Sequence, residues 1–393
     1  MQDPIVIVSA ARTPMGSFQG DFSGLAAHDL GGAAIRAAVE RAGIAPDAVG
    51  EVLFGNCLMA GQGQAPARQA AFKGGLPQSA GAVTLSKMCG SGMRAAMFAH
   101  DMLAAHSHDV LVAGGMESMT NAPYLLLKGR GGYRMGHDKV YDHMMLDGLE
   151  DAYEAGRSMG TFGEDCATKY SFTRAEQDAF ATASVQRAQA AIAGGAFAAE
   201  ITPVTVKERS GERLVSMDEG PGKIKLDKIP GLKPAFKKDG TITAASSSSI
   251  NDGAAAMVLM RASTAAQMGC KPLARIMSHA THAQAPEWFA TAPVGATQKA
   301  LVKAGWAVGD VDLWEVNEAF AVVPMALMKE LGIGHDKVNV NGGACALGHP
   351  IGASGARIMV TLLHALKARG LKRGLATLCI GGGEATAVAV ELL

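Results

Sequence analysis

The sequence says nearly the same thing twice, and that repeat limits the fold more than any other feature. ERAGIAPDAV (Glu40–Val49) runs into the apolar GEVLFGN ending at Asn56; about 260 residues later VKAGWAVGDV (Val302–Val311) runs into DLWEVN, ending at Asn317. CGSGMRAA (Cys89–Ala96) is echoed by GASGARIM (Gly352–Met359) through a shared Ser-Gly-x-Arg, and DVLVAGGMES (Asp109–Ser118) by ATLCIGGGEA (Ala376–Ala385). Echoes in one order imply two copies of an α/β unit, opened by VIVSA and LARIMS. Each reads as strand, helix, strand, helix, strand, which predicts a mostly parallel sheet with helices on both faces. Helical spacing runs from Ala33 to Ala42, with Gly43 as the stop. Sites in such sheets gather at the carboxyl ends of strands.

Between the copies lies a different region. The expected division is an N-terminal half of residues 1–120 and 244–270, an inserted loop domain of 121–243, and a C-terminal half of 271–393. The insertion is predicted to hold a helix from Thr173 to Ile192, with TRAE as a capping box. KGRGGYRMGHDK (Lys128–Lys139) and DEGPGKIKLDKIPG (Asp218–Gly231) read as loops, whereas INDGAAAMVLM reads as a turn entering a buried strand. An insertion after a glycine-rich strand is a natural place to bind substrate.

Composition excludes several classes. Hydrophobic residues make up 48% and charged residues 18% of the 393, with 36 basic against 36 acidic side chains, so there is no electrostatic footprint for nucleic acid or an anionic membrane. No stretch offers the ~20 apolar residues of a spanning helix. The opening MQDPIVIVSAARTP carries neither a signal nor a transit pattern, and six scattered cysteines without a CxxC pair argue against a disulfide framework or a zinc site. The expected compartment is the cytoplasm. GQGQAP (Gly61–Pro66) fails the dinucleotide pattern, and GxxxxGK[ST], HExxH and GxSxG are absent. No nucleotide cofactor and no metal are expected.

What remains is a set of reactive residues at predicted strand ends. Cys89, in SKMCGSGMRAA, falls where a strand turns into a helix, and helix N–H groups there lower a thiol's pKa; the alternative is a buried structural cysteine. His349 stands between Gly and Pro in NVNGGACALGHPIGASG, presented from a turn, where a neutral imidazole accepts a thiol proton; otherwise it is an ordinary loop histidine. Cys379 ends an apolar strand before glycines whose N–H groups suit an oxyanion; otherwise it is core. Asn317, in EVNEAFA, polarises a carbonyl or orients a water, or caps a helix beginning at Glu318, or both.

Taken over their whole length, these motifs resemble the thiolase family: AARTPMGSF (Ala10–Phe18), MCGSGMRA, AGGMESM (Ala113–Met119), SINDGAAA (Ser249–Ala256), NEAFA (Asn317–Ala321), the glycine-rich run around His349, and CIGGG. The resemblance implies the five-layered α-β-α-β-α thiolase fold, built from the two duplicated halves. It implies acyltransfer through an acyl-cysteine, two acetyl-CoA condensing reversibly to acetoacetyl-CoA and CoA. Cys89 would be the nucleophile, His349 its base, and Cys379 the acid/base for the second substrate's α-proton. Asn317, through a water, and His349 would form one oxyanion site, and the N–H groups of Cys89 and Gly381 the other. Acyl-CoA contacts would fall on Leu149, Met159, Phe236, Ala244, Ser248, Ala319 and Phe320. Coenzyme A is substrate and product rather than cofactor. The expected partners are acyl-CoA, CoA and further copies of the chain, as a dimer or a tetramer built through a loop like Tyr124–Tyr141.

Some positions depart from the family pattern. Ser158 stands where acetoacetyl-CoA-forming members carry histidine, the serine run reads AASSSSIND, Cys345 replaces an aliphatic residue, and GGGEA ends differently. Ser158 and the serine run line the expected substrate pocket, so a thiolase for longer or branched 3-ketoacyl chains is the near alternative. A ketoacyl synthase would place His or Asn at Cys379. A non-catalytic acyl-CoA binder would need none of the proton-transfer groups. With thiol and imidazole at their ordinary pKa values, activity is expected to rise between about pH 6 and 8.

Overall fold

The Val110–Ser118 segment is buried along its whole length, and a strand buried on both faces needs a packed layer on each side. In the computed structural model, which describes residues 3–209 and 211–393, that requirement is met twice. The first unit comprises β1 (Ile5–Arg12), α1 (Ala27–Ala42), β2 (Glu51–Gly55), α2 (Pro66–Lys73), β3 (Gly81–Leu85), α3 (Ser91–Ala104) and β4 (Val110–Ser118). A long excursion holding α4 (Met159–Tyr170) and α5 (Arg174–Ala193) precedes β5 (Asn251–Arg261), the unit's last strand. The second unit comprises β6 (Ala274–Ala283), α6 (Ala292–Ala304), β7 (Leu313–Val316), α7 (Val322–Leu331), α8 (Ile351–Arg369), β8 (Arg373–Ile380) and β9 (Glu384–Leu392).

The strands line up as β3-β2-β4-β5-β1-β6-β9-β8-β7. The halves join at β1 and β6, through Val6 opposite Arg275 and Ile7 opposite Ala274. Outward from that seam the pairing is the same on both sides. β1–β5 and β5–β4 are antiparallel, then β4–β2 and β2–β3 parallel. β6–β9 and β9–β8 are antiparallel, then β8–β7 parallel, and a parallel bridge from Trp314 to Val338 stands in the place of β3. Even the bulge is copied. The register slips between Ile7 and Ser9 and between Ile276 and Ser278. Each serine then donates to a helix carbonyl, Ser9 to Ala38 (2.5 Å) and Ser278 to Ala300 (2.7 Å).

The sheet is therefore mixed, not mostly parallel as the repeat alone predicted. Only Gly381–Gly383 separate β8 from β9, enough for a hairpin and far too short for a crossover helix. β5 returns from the long excursion and runs against both neighbours. Alternate strand residues feed different cores. Val110 and Val112 pack with α1 and α2, whereas Leu111 and Ala113 join α3 and α8. In the second sheet Ala376 and Leu378 face that same middle layer, and Leu375 and Cys379 face α6 and α7. The order is helix, sheet, helix, sheet, helix.

Helix α1 begins at Ala27, six positions before the expected Ala33, because Gly31 and Gly32 lie inside it rather than ahead of it. Gly31 packs on Met116 and Ala70 and Gly32 on Lys73, where any Cβ would collide; the pair lets α2 approach closely. The stop at Gly43 and the capping box of Thr173 with Glu176 are as expected. Residues 218–231, read as a loop, carry two short turns of helix, Gly220–Lys223 and Leu226–Gly231. No helix among the described residues is long and apolar enough to cross a membrane.

Candidate active site

Cys89 falls in the turn between β3 and α3. Met88 before it has φ 45°, in the left-handed region that a side-chain-bearing residue enters only under constraint. Ser91 supplies the constraint: its Oγ accepts from the Lys87 N–H (2.8 Å) and donates to the Met88 carbonyl (2.6 Å). The Cys57 thiol reaches the same carbonyl (3.1 Å). Gly90 presses against Ile380, where a Cβ would collide, and that approach brings the Cys89 turn to the end of β8, where the N–H groups of Gly381 and of Cys89 itself favour the thiolate form. The expected lowering of the thiol pKa does not occur. Burial pushes it up to about 11, with Glu117 adding to the rise, and the two N–H groups offset only part of it.

His349 follows the short helix Ala344–Leu347 and precedes α8. Its N–H is held by the Ser249 carbonyl (3.2 Å). The Ser354 hydroxyl donates its one proton to the Pro350 carbonyl (2.9 Å), so its 2.6 Å contact with the ring is a donation from Nδ1–H. That network assigns the tautomer. Nε2 is left with a lone pair and, among the described residues, no partner. Burial, reinforced by the charge of Arg357, lowers the imidazole pKa to about 3. It is a neutral base.

Asn317 is fully buried after β7, its N–H on the Thr377 carbonyl (3.1 Å) and its amide nitrogen 3.4 Å from His349 Nδ1. Oδ1 has no partner among the described residues. It is not a helix cap, since α7 starts at Val322 with Ala321 at its N-cap; the intervening turn carries Glu318 inward. Cys379, the penultimate residue of β8, is 1% exposed. Its thiol pKa is held far above the usual range by burial and then by the proximity of Cys89.

Two buried carboxyls that the sequence reading did not single out hold these loops. Glu117, at the end of β4, accepts from Asn56 Nδ2 (2.6 Å) and from the N–H groups of Cys57 (2.9 Å), Leu58 (3.1 Å) and Gly352 (2.9 Å). It ties the loop after β2 to the start of α8, and burial lifts its pKa to about 7. Glu318 accepts from Ser184 Oγ (2.7 Å), Asn339 Nδ2 (2.8 Å) and the Cys345 N–H (2.9 Å). A Glu amid an apolar motif signals such glue only once its donors are known to converge on it.

The predicted substrate residues divide into groups. Leu149 packs with Leu58, Met119, Met144 and Ile351 in the patch that also takes the flank of Cys89. Met159, Ala319 and Phe320 share a core with Cys379, and the Met159 methyl lies closest to Gly381. Phe236 meets Phe320 edge to face at 5.7 Å. The Ser248 N–H is held by the Ala319 carbonyl (2.9 Å). Ala244 lines a cavity of about 450 Å³ with Lys223, Lys225, Lys228 and Ser249, so one segment runs from three lysines to the backbone partner of His349. Ser158, directly before Met159, is the N-cap of α4 and is bridged to Glu150. A larger cavity, about 700 Å³ beside the C-terminus, contains none of the predicted residues.

Comparison with known proteins places the whole chain in one family. Residues 5–263 match the family model described as Thiolase, N-terminal domain, and residues 270–392 that described as Thiolase, C-terminal domain. The chain is 52% identical to an acetyl-CoA acetyltransferase of Rhizobium meliloti (strain 1021), over 100% of both chains. It is 51% identical to one of Chromobacterium violaceum, over 98% of this chain and 99% of the other. The crystal structure of the Bacillus anthracis acetyl-CoA acetyltransferase superposes with a TM-score of 0.97 at 41% identity, covering 100% of this chain and 99% of that one.

Proposed function

Since the chain belongs to the thiolase family, we propose that it is an acetyl-CoA C-acetyltransferase, condensing two acetyl-CoA to acetoacetyl-CoA and CoA or running the reverse thiolysis. The observation that carries this reading is the packing of Gly90, next to Cys89, on Ile380, which stands between Cys379 and Gly381, with a buried His349 Nε2 that has no partner among the described residues. Full-length relatives of about half identity that bear this name support the short-chain substrate.

In the first step Cys89 Sγ attacks the thioester carbonyl while its proton passes to the free Nε2 of His349, which hands it to the departing CoA sulfur. A thiol of pKa about 11 and an imidazole of pKa about 3 do not exchange that proton at rest, so transfer accompanies attack. Cys379 then gives its thiol proton to the vacated Nε2 of His349 and, as thiolate, takes the α-proton of a second acetyl-CoA. The high proton affinity that burial gives it makes it a strong base toward a weakly acidic carbon. The enolate attacks acyl-Cys89, and the proton on His349 Nε2 passes to the Cys89 sulfur as product leaves. N–H groups of Cys89 and Gly381 stabilise one oxyanion, and Asn317 with His349 the other. Covalent attachment of the first acyl group turns a two-substrate encounter into a positioned attack.

Lys223, Lys225 and Lys228 line the cavity beside Ala244 and suit the phosphates of CoA; reading 218–231 as plain loop had not singled them out. Tyr124, Leu126, Leu127, Met135 and Val140 are all exposed, which supports self-association through this loop into a homotetramer. Six free cysteines fit a reducing cytoplasm.

The test is thiolysis of acetoacetyl-CoA beside 3-ketovaleryl- and 3-ketohexanoyl-CoA, with Cys89→Ala as control. The expected result is cleavage of acetoacetyl-CoA ahead of the longer substrates, abolished in the variant. Faster cleavage of the longer chains would make this a broad-range thiolase. Absence of Cys89-dependent cleavage would remove the mechanism.

A further inference from the structure

Away from the cysteines, α3 and β6 bring together His100, Asp101 and His279. Asp101 Oδ1 lies 2.9 Å from His279 Nε2 and 3.0 Å from His100 Nδ1, and the two ring nitrogens are 3.2 Å apart. Three acceptor-capable atoms thus close a triangle around one point. Without a cation, Asp101 Oδ1 can accept from both rings, but that sets two ring N–H groups 3.2 Å apart, each facing another donor. A cation would satisfy all three lone pairs at once. Zinc–nitrogen bonds of about 2.0–2.1 Å in a tetrahedron put ligand atoms about 3.3 Å apart, so the triangle need open by only a few tenths of an ångström.

We propose that His100, Asp101 and His279 form a binding site for a divalent borderline metal of the zinc class, with the fourth position open to solvent. Two imidazoles exclude magnesium and calcium, which take oxygen, and favour zinc, nickel or copper. Both histidine side chains are largely buried (24% and 14% exposed) while Asp101 is half exposed, so the rings are held and the entrance is open. His279 pairs with Val388 in the second sheet and α3 belongs to the first unit, so the metal would clamp one half to the other. Lys303, whose Nζ donates to the His279 carbonyl (3.0 Å), opposes the cation's charge and keeps the site weaker than a closed structural zinc.

The test is titration of the full-length protein with Co²⁺, read by absorption, and with Zn²⁺, read by calorimetry. The expected result is one equivalent giving tetrahedral visible bands without the near-ultraviolet thiolate band that binding at the cysteines would produce. His279→Ala should weaken binding by more than the 10–100-fold typical of an outer-shell loss. His100→Ala, a helix-compatible change, should do the same if His279→Ala fails to fold. Bands that carry thiolate character, no bands at all, or affinity unchanged in the histidine variants would overturn the site and leave a hydrogen-bonded cluster. Each outcome is independent of thiolysis activity.

Discussion

Ser91 and Ser354 occupy the same place in the two copies of Ser-Gly-x-Arg and do different work. Gly92 packs on Ala356 and Gly355 on Met93, a reciprocal contact that fixes the equivalence of α3 and α8. Ser91 begins α3 and ties down the loop carrying Cys89. α8 starts one turn earlier, so Ser354 lies inside its helix and instead orients His349. The arginines part likewise: Arg94 stacks at 4.1 Å on Phe98, half-buried, whereas Arg357 is enclosed facing Glu315 at 3.6 Å. One scaffold is present twice, and with the extra helical turn of α8 the serine braces a different neighbour in each copy, Met88 before Cys89 in one and His349 in the other. Duplication conserves the packing and frees the strand and helix ends.

The sharpest way to break this division of labour is Cys379→Ala. The condensation rate should fall about 10²–10⁴-fold, the usual worth of a positioned acid/base, while acetyl-CoA still acylates Cys89 in single turnover. Equal loss of both steps would show that Cys379 also serves acylation.

Next come the two buried carboxyls. Glu117→Ala and Glu318→Ala should each cost about 3 kcal/mol in urea unfolding, since each strands several buried donors. A loss in one half alone would mean that the copies are not braced alike. The serine pair follows. Ser91→Ala should cost about 1 kcal/mol of stability, as a lost cap does. Ser354→Ala should cost about as much but appear in kcat, with KM little changed, because the imidazole loses the partner that fixes its tautomer.

The smallest expected effect is none. With His349 lowered to about 3 and Cys89 raised to about 11, acyl-enzyme formation from acetyl-CoA should be flat from about pH 5 to 9. The rise between pH 6 and 8 expected from unperturbed groups should be absent. Stability should respond instead. The unfolded imidazole, at 6.5, binds a proton that the folded one refuses until about 3, so its contribution is complete above pH 6.5 and fades as the pH falls toward 3. A bell centred near neutrality would show that burial of the pair is relieved in solution.

Much of this was legible beforehand because it is written in local pattern. The duplication, the stop at Gly43, the cap at Thr173 and the strand of INDGAAAMVLM rest on residues near one another in sequence. The errors share a different cause. Gly31 and Gly32 fell outside the expected helix because what favours them there is the neighbouring helix. Asn317 looked like a cap because the buried turn that holds Glu318 is set by Ser184 and Asn339. Strand direction was misjudged at β5, whose neighbours lie far off in the chain.

The family, the duplication and the candidate reactive residues could be read from the sequence. Periodicity, turn chemistry and long contiguous motifs survive without coordinates. The desolvation of the Cys89 thiol and of His349, the convergence of donors on Glu117 and Glu318, and the meeting of His279 with Asp101 across 178 residues came from the tertiary fold. Desolvation and convergence depend on everything packed around a group, and no stretch of sequence records that.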